Sequence, residues 1–145
     1  MSVAKGCGIA ALVLLLLGGG VAYCGYNMYQ AMKVEMPKVE HVAKDWVAHF
    51  NVQDFASCYR ASDAELTSRT PLADFTTQMQ RLRERFGTLS LAGQLGFNMK
   101  TWNGDTKVEC RWDASSAVTK RSVYFVMHQV GGDWRVLTFN IDERL

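Results

Sequence analysis

The chain has 145 residues, 48% of them hydrophobic and 21% charged, with a formal net charge of +2. That balance excludes a nucleic-acid binder that relies on bulk basicity, and 16 aromatics against two prolines exclude a disordered chain. The length leaves room for one sizeable domain only.

The averages conceal two objects. Residues 6–32 are 27 positions without a charge, 19 of them hydrophobic, while residues 33–145 hold 29 of the 30 charges. A helix crossing a bilayer needs about 20 apolar residues. Residues 9–32 supply them, so the expected organisation is a tail (1–8), a transmembrane anchor helix (9–32) and an α+β domain (33–145). The alternative is a cleaved signal peptide, whose site needs small residues at −3 and −1. Tyr23 and Tyr29 fall near the obvious places, and Tyr23 stands before Cys24 where a lipoprotein site needs a small residue. Tyr23, Tyr26 and Tyr29 cluster where an aromatic belt belongs. Positive charge does not settle orientation: Lys5 precedes the segment, and Lys33, Lys38 and Lys44 follow it mixed with Glu35, Glu40 and Asp45. A short tail ahead of a folded domain is the layout of a signal anchor, which puts the domain outside the cytoplasm, on the periplasmic side of an inner membrane. Gly18 and Ala22 form a small-xxx-small pair, a candidate contact for another membrane helix.

Pro37 marks a break or a helix start. Val39, Val42, Ala43, Trp46, Val47 and Phe50 then recur at helical spacing. Asn51 interrupts, and Phe55, Cys58 and Tyr59 make a second, shorter apolar face. Ser62 is the expected cap of a turn containing Leu66. The next helix has Thr70 as N-cap, Pro71 in its first position, a stripe of Leu72, Phe75, Met79, Leu82 and Phe86, and Gly87 as its stop.

Beyond Gly87 the period changes. Residues 89–102 read as a strand that Gly93 and Gly96 bulge or bend. Asn103-Gly104-Asp105 is a hairpin turn. Val108, Cys110 and Trp112 alternate with charged neighbours as in a half-buried strand. Residues 114–120 read as a loop, 122–130 as an apolar strand, Gly131-Gly132-Asp133 as a turn and 134–141 as the last strand. The expected fold is therefore α+β, with three helices on one face of a curved four-stranded antiparallel sheet.

This order of parts resembles the nuclear-transport-factor-2-like (SnoaL-like, cystatin-like) superfamily. The residues that carry the resemblance are Trp46 and Phe50, Asp54-Phe55 with Cys58-Tyr59, the helix from Thr70-Pro71-Leu72-Ala73-Asp74-Phe75 to Phe86-Gly87, and the hairpin Gly131-Gly132-Asp133-Trp134-Arg135-Val136. The resemblance implies helices packed into a cone-shaped sheet. It also implies either a small-molecule cyclase, isomerase or dehydratase, or a non-catalytic membrane-anchored member. Scaffold subunits of type IV secretion systems and accessory proteins of mammalian-cell-entry lipid transporters are members of the second kind. A rival resemblance is to the single-pass cytochrome oxidase assembly factor 1 family. The long helix ahead of the first strand favours the cone.

His41, Asp45 and His49 share one helical face, as metal ligands do and as any solvated polar face does. His128 lies on the strand face of Tyr124, Val126 and Val130, where a pocket base would sit if a carboxylate met it; Asp142 and Asp54 are the carboxylates considered. Cys58 and Cys110 both fall on apolar faces, so a disulfide outside the cytoplasm and two buried free thiols are both open. The last two strands carry apolar residues on both faces: Tyr124, Val126, Val130 and Val136 on one; Val123, Phe125, Met127, Leu137, Phe139 and Ile141 on the other. The face not covered by helices is an expected interaction site. The candidate pocket or interaction residues are Trp46, Tyr59, Trp102, Trp112, Tyr124, His128 and Trp134, with core filling the plainer role for the tryptophans.

No phosphate loop, nucleophile elbow, CxxC or repeat is present, so no cofactor, metal or catalytic residue is assigned. The expected function is a single-pass membrane-anchored accessory or scaffold protein, not an enzyme, that binds other membrane subunits, itself or a ligand, and no nucleic acid. The alternatives are an accessory subunit or assembly factor of a respiratory oxidase, and a small-molecule enzyme or carrier.

Overall fold

A computed structural model describes the backbone of residues 3–116 and 120–143, and the side chains of 25–27, 29–116 and 121–142. The chain divides into two compact units, Met1–Pro37 and Lys38–Leu145.

The first helix, α1, runs Val3–Asn51. Pro37 lies inside it and neither breaks nor starts it. A proline removes one helical N–H, but its fixed φ is a helical one, and here the helix tolerates the loss. The break or helix start expected at Pro37 is therefore absent: the helix continues through it. In the first unit Tyr26 and Tyr29 are exposed. The side chains of residues 1–24 lie outside the described residues. The expected membrane helix over 9–32, with its Gly18–Ala22 contact, falls largely on them. Among the described residues no helix is long and apolar enough to cross a membrane.

In the second unit α1 presents Val39, Ala43, Trp46, Val47 and Phe50 as one buried stripe. Gln53 takes a positive φ of 61° and turns the chain into α2 (Phe55–Arg60), whose N-cap Asp54 accepts from the Ser57 N–H at 3.1 Å. The short helix α3 (Ala64–Arg69) was expected only as a turn capped by Ser62. Its N-cap is Asp63, whose carboxylate accepts from the Glu65 N–H at 2.7 Å. Helix α4 spans Leu72–Phe86 and stops at Gly87, with φ 71°. Pro71, not Thr70, occupies its N-cap position, because its own ψ of 151° is still extended and the helix begins at Leu72. Thr70 (φ −128°) instead ends α3. Phe75, Met79 and Phe86 are buried on α4, whereas Leu72 is exposed.

The sheet is an antiparallel meander, β1 (Ser90–Trp102), β2 (Asp105–Ser115), β3 (Lys120–Val130) and β4 (Asp133–Glu143), in sequence order. β1 is irregular between Leu91 and Gly96, in line with its two glycines. Both tight hairpins use positive φ at two successive positions, 50° and 80° at Asn103 and Gly104, and 60° and 92° at Gly131 and Gly132. These are the values a two-residue hairpin of native twist requires.

One face of the sheet is covered. Val108, Cys110, Trp112 and Ala114 of β2 and Val123, Phe125 and Met127 of β3 are buried, with Val136 and Ile141 of β4. Val136 was expected on the opposite face. The ladder pairs Val126 with Thr138 and then Met127 with Val136, passing over Leu137. That one-residue bulge reverses the parity of β4 and brings Val136 and Trp134 inward. At the bulge the chain between α2 and α3 closes the edge of β4: Asp63 N–H donates to Val136 O at 2.8 Å, and Val136 N–H to Ala61 O at 3.1 Å.

The core between α1 and this face is aromatic. Trp46 lies 4.2 Å from Phe139 and 5.7 Å from Phe125 between ring centroids, and Trp112 packs edge-on against Phe125 at 5.7 Å. At the far end of α1 the Asn51 side chain acts as a strand partner. It donates to Leu89 O at 2.7 Å and accepts from Leu89 N–H at 2.8 Å.

Candidate functional site

Four of the seven candidate interaction residues are structural or on the helix-facing side. Trp46, Trp112 and Trp134 are 1%, 3% and 4% exposed and fill the core. The half-buried Tyr59 places its hydroxyl 2.9 Å from Thr70 O and 3.1 Å from Thr67 O, and so ties α2 to the end of α3. Trp102 is 79% exposed at the tip of the first hairpin. Tyr124 and His128 lie on the uncovered face.

That face is not the apolar surface expected. Tyr124 and Val126 are half-buried there among charged neighbours. Arg111 sits over the Tyr124 ring at 5.7 Å and pairs with Asp142 at 3.2 Å, while Lys100 pairs with Glu109 at 3.5 Å. Burial, and then the Glu109 charge, raises the Tyr124 phenol. The apolar excess of the last two strands sits mainly on the covered face.

The strongest polar cluster centres on His128. Its Nδ1 lies 2.9 Å from Asp63 Oδ2, and its Nε2 2.5 Å from Asp105 Oδ1. Asp63 is buried, at 4% exposure. A neutral imidazole carries one N–H, so both contacts are hydrogen bonds only when both ring nitrogens carry hydrogen. The ring thus joins the α2–α3 connection to the start of β2. Lys107 extends the network, 3.7 Å from Asp105 and 3.8 Å from Glu65. Neither carboxylate considered from sequence is the partner: Asp142 faces Arg111, and Asp54 lies 3.2 Å from His49. Asp63 is 65 residues away, on a loop, and its cap role in front of Ala64 and Glu65 was its sole local signal.

Beside this cluster a cleft of about 400 Å³ opens between α2, α3 and the second hairpin. Tyr59, Ser62, Ala64, Thr67 and Val130 line it, with exposed Arg60 and Arg135 at its margin. Arg135 donates to Arg60 O at 3.1 Å. The volume suits a small ligand or one inserted side chain. A smaller cleft of about 200 Å³ lies between α1, α2 and β4, walled by Val42, His49, Ser57 and Trp134.

The helical face of His41, Asp45 and His49 resolves into separate surface pairs. His41 lies 3.3 Å from Asp45, both exposed, and His49 turns to Asp54. The Asp54 carboxyl is held below its usual range, first by the Ser57 hydroxyl at 2.5 Å and next by the Ser57 N–H. Among the described residues no group of His, Cys, Asp and Glu is placed to hold a metal.

Cys58 and Cys110 are free and buried. The Cys58 thiol donates to Trp46 O at 3.5 Å, and the Cys110 thiol to Phe125 O at 3.7 Å. The disulfide is thus not the arrangement adopted: each sulfur has its own backbone acceptor. Burial pushes both thiols up to about 12.

No family model and no curated protein matches the chain. Solved structures do match. A protein of unknown function with a cystatin-like fold from Nostoc punctiforme superposes with a TM-score of 0.53 at 6% identity, over 74% of this chain and 90% of that one. Aln2 from a Streptomyces species gives 0.52 at 11% identity, over 74% and 88%. A protein from Catenulispora acidiphila gives 0.53 at 7% identity, over 78% and 94%. At such identities the likeness is one of fold alone. The α+β domain has a cystatin-like fold, in keeping with the resemblance read from its helix and hairpin motifs.

Proposed function

We propose that this protein is a single-pass membrane-anchored accessory or scaffold protein. Its cone-shaped domain lies outside the cytoplasm and acts by binding another membrane subunit or a second copy of itself. The observation that carries the reading against an enzyme is the filling of the space between α1 and the sheet. Trp46, Phe50, Phe125 and Phe139 pack there at centroid separations of 4.2 to 6.0 Å, where a catalyst needs room for a substrate. The charge-free 27-residue segment supports the anchor. The cleft between α2, α3 and the second hairpin is the binding feature.

Crosslinking in intact membranes, followed by purification of the full chain in mild detergent, tests the reading. The expected result is a stoichiometric partner or homo-oligomer, captured through a photo-crosslinker at Thr67 in the cleft. A chain that stays monomeric and crosslinks to nothing would sink it. Topology needs a cysteine introduced at exposed Ser68 or Thr77, because Cys58 and Cys110 are too buried to report it.

A second reading, a small-molecule enzyme, is favoured by the Asp63–His128 pair, since a base oriented by a buried carboxylate is a catalytic arrangement. It ranks second because the other ring nitrogen is already taken by Asp105. Turnover of any substrate that is abolished by His128→Gln, in a variant that still folds, would reverse the order.

A further inference from the structure

Within the second unit, both hairpin tips lie at the end where that unit begins. Lys38 opens the unit, and one turn later Val42 walls a cleft together with Trp134, which follows the Gly131-Gly132 turn. At the other end of the helix Asn51 is bonded to Leu89, at the opposite end of the sheet. Thr106 pairs with Gln129, so the two tips stand side by side. They carry exposed apolar side chains: Trp102 at 79% and Val130 at 48%. The other three tryptophans are buried.

An exposed indole on a two-residue hairpin loses little conformational freedom when it is covered. Tryptophan is also the side chain that favours the membrane–water interface, with its ring in the apolar zone and its N–H toward water. Only five residues separate the charge-free segment from Lys38. Inside α1 they rise about 8 Å.

We propose that the two hairpin tips rest on the lipid surface, with Trp102 and Val130 at the boundary of headgroups and acyl chains. This rests on the membrane-anchored reading above. The opposite end of the domain, with Val52 and Leu89, would then face away from the bilayer.

The test uses the full chain in phosphatidylcholine vesicles, with Trp102 emission isolated as the difference between wild type and Trp102→Phe. The vesicles carry a nitroxide quencher on the upper acyl chain, and iodide is the aqueous quencher. The expected result is a blue-shifted Trp102 signal that lipid nitroxide quenches and iodide does not. Tryptophan placed at Val52 in the Trp102→Phe background should show the reverse. If the chain floats with vesicles and resists alkaline extraction, yet Trp102 is quenched by iodide or shielded from both quenchers, the lipid contact is refuted while the anchor stands. Lipid quenching at position 52 equal to that at 102 refutes it as well. A chain extracted by alkali overturns the anchor, and the contact with it.

Discussion

Replacing Asp63 by alanine removes two interactions at once. The carboxylate caps α3 through the Glu65 N–H and meets His128 Nδ1 at 2.9 Å. Loss of an N-cap costs about 0.5–2 kcal/mol. A half-buried ring nitrogen left without its partner costs about 1–3 kcal/mol. Asp63 and His128 side chains are 5% and 24% exposed, so solvent screens the pair little, whereas Asp105 at 49% contributes less. The expected loss for Asp63→Ala is therefore about 2–4 kcal/mol. Asp63→Asn keeps both the cap and an acceptor and should lose least. Asp63→Ser keeps the cap but is one bond too short for the ring, and should fall between. Urea unfolding of the full chain in micelles, followed by the near-ultraviolet signal of the buried tryptophans, gives each value from the midpoint at constant slope. A double-mutant cycle with His128→Ala isolates the pair, with an expected coupling of about 1–3 kcal/mol. A coupling below about 0.5 kcal/mol, the level of additivity between independent sites, would show that the two side chains do not act as a pair.

Phe125→Ala, in a fully buried position touching Trp46, Trp112 and Phe139, should cost about 3–5 kcal/mol, while Trp102→Ala should change stability by no more than about 0.5 kcal/mol; equal effects in the same unfolding assay would contradict the assignment of core and tip. Gly132→Ala, at φ 92°, should cost about 1–2 kcal/mol through backbone strain alone, and the check is a lowered unfolding midpoint with an unchanged fold by circular dichroism. Cys58 and Cys110 should react with a thiol reagent only on unfolding. Their folded thiols are raised to about 12 from an ordinary 9.0, so the unfolded chain loses these protons first. The contribution of the pair to stability is complete below about pH 9 and is lost as pH rises toward 12; a domain whose stability does not fall over that window would contradict the burial.

Much of the fold was legible because local signals agreed with one another. The period of Val39, Ala43, Trp46 and Phe50, the Gly87 stop, and the Asn103-Gly104 and Gly131-Gly132 turns each correspond to an element or boundary that the structure contains. What escaped was set by register and distance. The bulge at Leu137 carries no glycine or proline to announce it, yet it reverses the face of Val136 and Trp134. Asn51, read as an interruption, is the side chain that pins Leu89 at the head of the sheet. Asp63 and His128 meet across 65 positions because the α2–α3 connection closes the edge of β4, and nothing in the spacing of either residue encodes that. Pro37 misled because a proline costs only one hydrogen bond and some crowding in the turn before it, and the buried apolar stripe that begins at Val39 carries the helix on past it.

The intact mass of the membrane-bound chain after alkaline extraction tests the anchored reading most directly. The protein should stay with the membrane pellet, at the mass of a chain that retains residues 6–32. Release into the supernatant, or a mature chain that begins beyond residue 32, would contradict it.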